Sequence, residues 1–322
     1  MIRIAIIGMG LIGTSLGMAL RNADPKESPL GSLEVIGFDR EPRVTRAARG
    51  RLAIDCEART LADAVREAQI VVIATPVRAI QDVLRDLASH LPAGTIVTDV
   101  ASTKARVCQW AADLLPATVA FVGGHPMAGR EQSGPCAADP DLFRNAIYCL
   151  TATSTTPAHA VEAVEALVRT VGAKPYYIDP EEHDAYVAGI SHLPLLLSVG
   201  LVTTTGNSPA WKEMAPLAAT GFRDVSRLAS GDPHMQRDIL LTNPHGLTRW
   251  IDELIRFLVT AREQIAASDV AAIEQMLEQA KATRDAWLAS KPHLRPGEAE
   301  FTNLPTVERP SLIGFRWPKR EK

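Results

Sequence analysis

Cysteine is scarce and scattered. The 322 residues hold four, Cys56, Cys108, Cys136 and Cys149, with no CxxC pair among them. That spacing excludes a disulfide-stapled secreted module, suggests no metal site, and predicts four separate reduced thiols. Charge of one sign is lacking too: 34 Lys+Arg against 37 Asp+Glu leave a net charge of −3. With no dense Lys/Arg block, the chain lacks the phosphate-neutralising charge of a dedicated nucleic-acid binder. The longest apolar stretch, Leu193 to Val202, is interrupted by Pro194, Ser198 and Gly200 and falls short of the roughly 20 residues needed to span a bilayer. Met1-Ile2-Arg3-Ile4 opens directly on apolar residues, without the segments of a secretory signal. Internal repeats and low-complexity tracts are missing as well. These absences lead to the expectation of a soluble, cytoplasmic protein with neither membrane nor nucleic acid as partner.

What is present is ordinary globular material, 46% hydrophobic and 22% charged, of a length suited to two domains at roughly 150 residues each. Short apolar runs are predicted as strands at Ile2–Ile7, Leu33–Asp39, Ile70–Ala74, Thr95–Asp99 and Ala120–Gly124, with two more at Asn145–Leu150 and Lys174–Ile178. Helical segments separate them, among them Leu11–Leu20, Ala79–Leu87 and Pro157–Val171. Strands that are apolar throughout are covered on both faces, so the alternation predicts a doubly wound, mostly parallel, Rossmann-type α/β sheet over residues 1–178. Beyond it, strands disappear. Trp250, Leu254, Leu258, Ala261 and Ile265 recur at helical spacing, and Ser268 is the expected N-cap of a following helix carrying Ile273, Leu277 and Ala280. A helical domain is expected over 179–291, its apolar faces either folded on themselves or shared between two copies. A Pro-rich tail with Ile313, Phe315 and Trp317 occupies 292–322.

Gly8-Met9-Gly10-Leu11-Ile12-Gly13 fits GxGxxG directly after a strand and at the start of a helix. There the first glycine turns, the second admits a pyrophosphate to the backbone, and the third packs helix on strand. The helix N-terminus, with Leu11 and Ile12, offers N–H groups to the phosphates. Asp39, ending the second strand, is placed to accept from the ribose hydroxyls and favours NAD. Arg40 beside it suits a 2′-phosphate and leaves NADP open. Three more segments follow strand ends, where open α/β sheets bind ligands: Ala74 to Val77, Thr98 to Lys104, and Gly124 to Gly129. In them Thr75, Pro76 and Asp99 are expected cofactor contacts, and His125 is the candidate acid/base.

GMGLIG, ATPV, TDVASTK, GGHPMAG, the stretch from His183-Asp184-Ala185-Tyr186 to Ser191-His192-Leu193-Pro194, and GFRDVSR at 221–227 together resemble the prephenate/arogenate (cyclohexadienyl) dehydrogenase family of tyrosine biosynthesis. The resemblance runs from Gly8 to about Ala289. It implies oxidative decarboxylation of a cyclohexadienol by a homodimer, with His125 accepting a hydrogen bond from the C4 hydroxyl and Ser102 sharing it. Arg227 would bind a substrate carboxylate. His192 either contacts substrate or buttresses the site, and Glu131 gates the pocket, orients a basic partner or is solvated surface. Two positions depart from some prephenate-using members: Leu195 stands where a second histidine follows the proline, and Gln236 where a tryptophan faces the substrate. They leave prephenate, arogenate or both open as substrate. A 3-hydroxyacid dehydrogenase or imine reductase would require a catalytic lysine or another substrate loop, and a non-catalytic dinucleotide sensor would not require His125, Ser102 and Arg227 together.

Overall fold

The computed structural model describes residues 1–130 and 132–290, so Glu131 and the tail at 292–322 lie outside the described residues. Eight strands form one sheet: β1 (Ile2–Ile7), β2 (Leu33–Phe38), β3 (Cys56–Glu57), β4 (Ile70–Ile73), β5 (Ile96–Asp99), β6 (Ala120–Pro126), β7 (Ile147–Thr151) and β8 (Lys174–Tyr177). Helices α1 (Leu11–Asn22), α2 (Pro42–Gly50), α3 (Leu61–Val65), α4 (Ala79–Leu87), α5 (Ala105–Leu114) and α6 (Ala158–Thr170) connect them. The strand order is β3-β2-β1-β4-β5-β6-β7-β8. Every pairing is parallel except that of β6 with β7, where His125 faces Cys149. Chain order reverses between β1 and β4, and a doubly wound sheet binds its ligand in the crevice at that point.

Alternation along the strands separates two cores. Ile4, Ile6, Ile70 and Val72 pack with Leu16 and Leu20 of α1 and with Val164 and Leu167 of α6. Ala5, Ile7, Val71 and Ile73 pack on the other face with Ile80 and Leu84 of α4 and Val107 of α5. Each such fully buried Ile, Leu or Val contributes roughly 1.5–3 kcal/mol. Burial on both faces is why these strands carry no polar alternation.

After β8 the described chain is helical. α7 (Pro180–Val187), one π turn (Ala188–His192) and α8 (Leu193–Gly206) run end to end. The π turn lies immediately before Pro194, whose ring and missing N–H the ordinary ladder cannot accommodate. This 27-residue run contains an 18-residue window of mean hydropathy 1.7, enough by length and composition to cross a membrane, and is longer than the interrupted stretch at Leu193–Val202. It also carries His183, Asp184 and His192, all buried. Next come α9 (Trp211–Met214), α10 (Thr220–Ser226), α11 (Pro233–Thr242), α12 (Pro244–Ala266) and α13 (Val270–Ala289). Ser268 is not the cap of α13: it sits at φ 53° closing the previous turn, and Asp269 accepts from Ala272 N instead.

Leu247 is the one buried residue of α12, and α13 has none. Ile255, Phe257, Leu258, Ile265, Leu277 and Trp287 are exposed, and a groove of about 800 Å³ separates the two helices. The apolar face at Leu258 and Ile265 is therefore not buried among the described residues. Patches of this kind mark protein–protein contact.

Candidate active site

The glycine turn is built as the dinucleotide reading requires. Gly8 adopts φ +98°, and a Cβ there would lie 2.6 Å from the Ala74 carbonyl oxygen; at Gly13 it would lie 2.0 Å from Gly8 O. A Cβ on Gly10 would meet nothing within 4 Å, leaving open the space a pyrophosphate approaches. α1 has no side-chain cap, so its first N–H groups face that space with the positive end of the helix dipole. Asp39 accepts from Met9 N and Glu41 N, both at 2.9 Å, which holds its carboxylate against the turn with lone pairs to spare. Thr75 Oγ1 beside Gly8 is buried without a partner, as a hydroxyl awaiting a ligand would be. Arg40 and Pro76 are exposed at the rim. The residues thus fit a dinucleotide. Gly10→Ala should weaken cofactor binding at unchanged thermal stability, whereas Gly8→Ala should also lower the melting temperature, because only Gly8 has a positive φ and a contact its Cβ would violate. Parallel cofactor titrations and melting curves check both.

His125 ends up buried near the end of β6, and the preceding residue is fastened from three sides. Lys104, fully buried, forms an ion pair with the equally buried Asp99 and donates to Gly124 O at 2.6 Å. Asp99 also accepts from Gly124 N at 3.1 Å and from Ala101 N at 2.9 Å. A Cβ at Gly124 would come 2.5 Å from Asp99 O, so a larger residue would push the strand off. The Asp99 carboxylate, expected at the cofactor, is turned inward onto Lys104 and two backbone amides.

His125 Nδ1 lies 2.9 Å from His183 Nε2, with the rings edge to face at 73°. His183 Nδ1 lies 2.8 Å from Asp184 Oδ1. Asp184 in turn accepts from Lys104 N at 2.7 Å and Ala105 N at 3.0 Å, so α7 supplies the N-terminal cap of α5. Asn243, at the start of α12, donates through Nδ2 to Asp184 O at 2.6 Å and reaches His192 Nδ1 at 3.3 Å. His192 Nε2 is buried with no partner. Because Asn243 Nδ2 can only donate, His192 Nδ1 accepts and Nε2–H is the unsatisfied donor.

Burial, followed by the nearby His183, Lys104 and His192, holds His125 well below the ordinary 6.5, so its imidazole is neutral at pH 7. Burial also pulls His192 down to about 4, against the opposing pull of Asp184. The sign for stability follows. Below 6.5 the unfolded chain binds a proton that folded His192 refuses, so stability falls with pH until about 4, where both states are protonated. His192 alone should remove roughly 3 kcal/mol over that window. Urea unfolding midpoints measured at neutral and acid pH, with His192→Gln flattening the slope, check this.

The other expected residues divide. Ser102 is half-buried, beside the histidines, and its hydroxyl makes no hydrogen bond among the described residues; its backbone acts on His192. Arg227 is exposed on the 3-10 turn Arg227–Ser230, which follows α10, a helix tied to α8 by Ser198 Oγ donating to Val225 O. Gln236 Nε2 donates to Leu228 O at 2.8 Å, which braces the Arg227 turn. Lys104, His183, Asp184 and Asn243 were not singled out from sequence, although TDVASTK and the His183-Asp184 pair were visible in it.

Comparison with known proteins agrees with this geometry. Residues 18–177 match the family described as prephenate dehydrogenase, nucleotide-binding domain, and residues 179–279 match prephenate dehydrogenase, dimerization domain. Prephenate dehydrogenase of Bacillus subtilis is 38% identical over 88% of this chain and 75% of its own length. Among solved structures, arogenate dehydrogenase of Synechocystis is 30% identical, covering 89% of this chain and 100% of its own, with TM-score 0.74. Prephenate dehydrogenase of A. aeolicus, in complex with hydroxyphenyl propionate and NAD+, is 27% identical over 89% of this chain and 98% of its own, with TM-score 0.81.

Proposed function

This chain belongs to the prephenate dehydrogenase family, and from that premise we propose that it oxidises and decarboxylates prephenate with NAD, forming 4-hydroxyphenylpyruvate for tyrosine biosynthesis. The observation that carries this reading is a buried, neutral histidine held near the end of β6, in the same sheet whose β1 carries the dinucleotide turn. A bound NAD supplies the acceptor for the C4 hydrogen and its electron pair. His125 Nε2 takes the C4 hydroxyl proton as that hydrogen leaves, so the ring carbon becomes a carbonyl. The ring carboxylate then departs as CO₂, its bonding pair aromatises the ring, and His125 returns the proton to the phenolate oxygen. Ser102, with its uncommitted hydroxyl, shares the C4 oxygen and fixes it over the cofactor. Arg227 binds a substrate carboxylate, the task a planar guanidinium suits best. Asp39 favours the free ribose hydroxyls of NAD over a 2′-phosphate.

The exposed apolar faces of α12 and α13, in the segment matching a dimerization domain, support a homodimer. A second reading, arogenate or both substrates, is favoured by Leu195, apolar and buried, which offers no polar group to tell a keto from an ammonium substituent, and by Gln236, whose amide oxygen is an acceptor of the kind an ammonium group would use. The deciding experiment runs prephenate and arogenate against NAD and NADP, following reduced cofactor and CO₂ together. We expect the prephenate–NAD pair to give the highest kcat/KM. No turnover in any of the combinations would overturn the proposed activity.

A further inference from the structure

His183 and Asp184 reach the reacting region only through His125, and the proton count along this chain of contacts is fixed by its far end. Asp184 receives three hydrogen bonds, from Lys104 N, Ala105 N and His183 Nδ1. Two of those donors are backbone amides, which have no lone pair to offer, and a carboxylate has only acceptors. His183 Nδ1 therefore donates. In a neutral imidazole the other nitrogen is then an acceptor, and His183 Nε2 stands 2.9 Å from His125 Nδ1. His125 Nδ1 consequently carries the hydrogen, and its lone pair is on Nε2.

We infer that His183 and Asp184 are positioning residues that lock His125 in its Nδ1–H tautomer, aiming the Nε2 lone pair at the substrate hydroxyl. The inference rests on the proposed reaction for its purpose, while the tautomer itself is a property of the protein alone. The titratable groups around His125 are Lys104 and Asp99 from the β5–α5 segment, Cys149 across from it on β7, His183 and Asp184 from α7, and His192 from the π turn. None but His183 is in hydrogen-bond contact with the His125 ring. A proton added to His183 would reverse the sense of that contact: Nε2–H would donate into His125 Nδ1 and drive its hydrogen onto Nε2, where it blocks the base. A wrong-tautomer histidine of this kind costs up to about 10⁴-fold in the serine-protease triad.

The direct test is long-range ¹H–¹⁵N correlation of the full chain labelled with ¹⁵N-histidine and saturated with NAD, at a pH where the imidazoles are neutral. Loss of one signal set in His125→Asn assigns the residue. Protonated Nδ1 with a bare Nε2 on His125 is expected; the opposite tautomer would overturn the inference whether or not the enzyme turns over prephenate. Kinetics give the second arm. In His183→Gln the amide nitrogen can donate to Asp184 while the carbonyl oxygen accepts from His125, so both senses survive and kcat should stay within about tenfold. His183→Leu supports neither sense, and kcat should fall about 10²–10³-fold at near-constant substrate KM and NAD Kd. Equal losses in the two variants would count against a positioning role, because a purely structural residue has no reason to be rescued by the amide.

Discussion

His125→Asn should lower kcat for prephenate oxidation by about 10²–10⁴-fold, the usual contribution of a positioned general base, while the NAD dissociation constant stays where it was. The substitution isolates chemistry from architecture. An asparagine amide occupies nearly the position of the imidazole Nδ1 edge, so Nδ2 can still donate to His183 Nε2 and satisfy the contact now made at 2.9 Å. What is lost is Nε2, the atom that takes the proton. The cofactor turn at Gly8 to Gly13 is built by β1, α1 and Asp39 and does not depend on that ring. Steady-state kinetics with a fluorescence titration of NAD measure both quantities. A kcat within tenfold of the parent would remove His125 from the reaction.

Lys104→Met should destabilise the fold by about 3–5 kcal/mol, the cost of stranding one partner of a buried ion pair. Lys104 and Asp99 are both fully buried, so water cannot compensate the abandoned carboxylate, and Gly124 O loses its donor as well. Against a total of about 5–15 kcal/mol for a typical domain, this is a large fraction. The loss should shift the urea midpoint strongly with little change in slope. The double variant Lys104→Met/Asp99→Asn should recover part of it, since the amide removes the charge and its oxygen can still accept from Ala101 N or Gly124 N. A single variant as stable as the parent would show that the pair is not what fastens β5 to β6.

The sheet was readable from sequence because its strands are buried on both faces: Ile70 to Ile73 and Ile96 to Val97 are apolar without interruption. β3 escaped notice for the same physical reason in reverse, being two residues long at the sheet edge with Cys56 exposed. His125 was legible because a histidine between glycines and a proline at a strand end has few structural uses. The inward turn of the Asp99 carboxylate was not legible because a carboxylate at a strand end looks identical whether it faces a ligand or a lysine five residues on; only the fold shows Lys104 turning inward. Gln236 poses the same difficulty, since its partner is the backbone oxygen of Leu228, and a backbone acceptor leaves no trace in sequence. The His183–His125 contact joins residues 58 apart, a pairing that neither helical nor strand periodicity can announce.

Asp184 is seated on the first turn of α5 by two backbone amides, and its own carbonyl is tied to Asn243. The side chain that sets the direction of the proton at His125 is therefore also the clasp between the sheet and the helices that follow it. Any opening that lifts α7 away from α5 releases the clasp and disarms the base in the same movement.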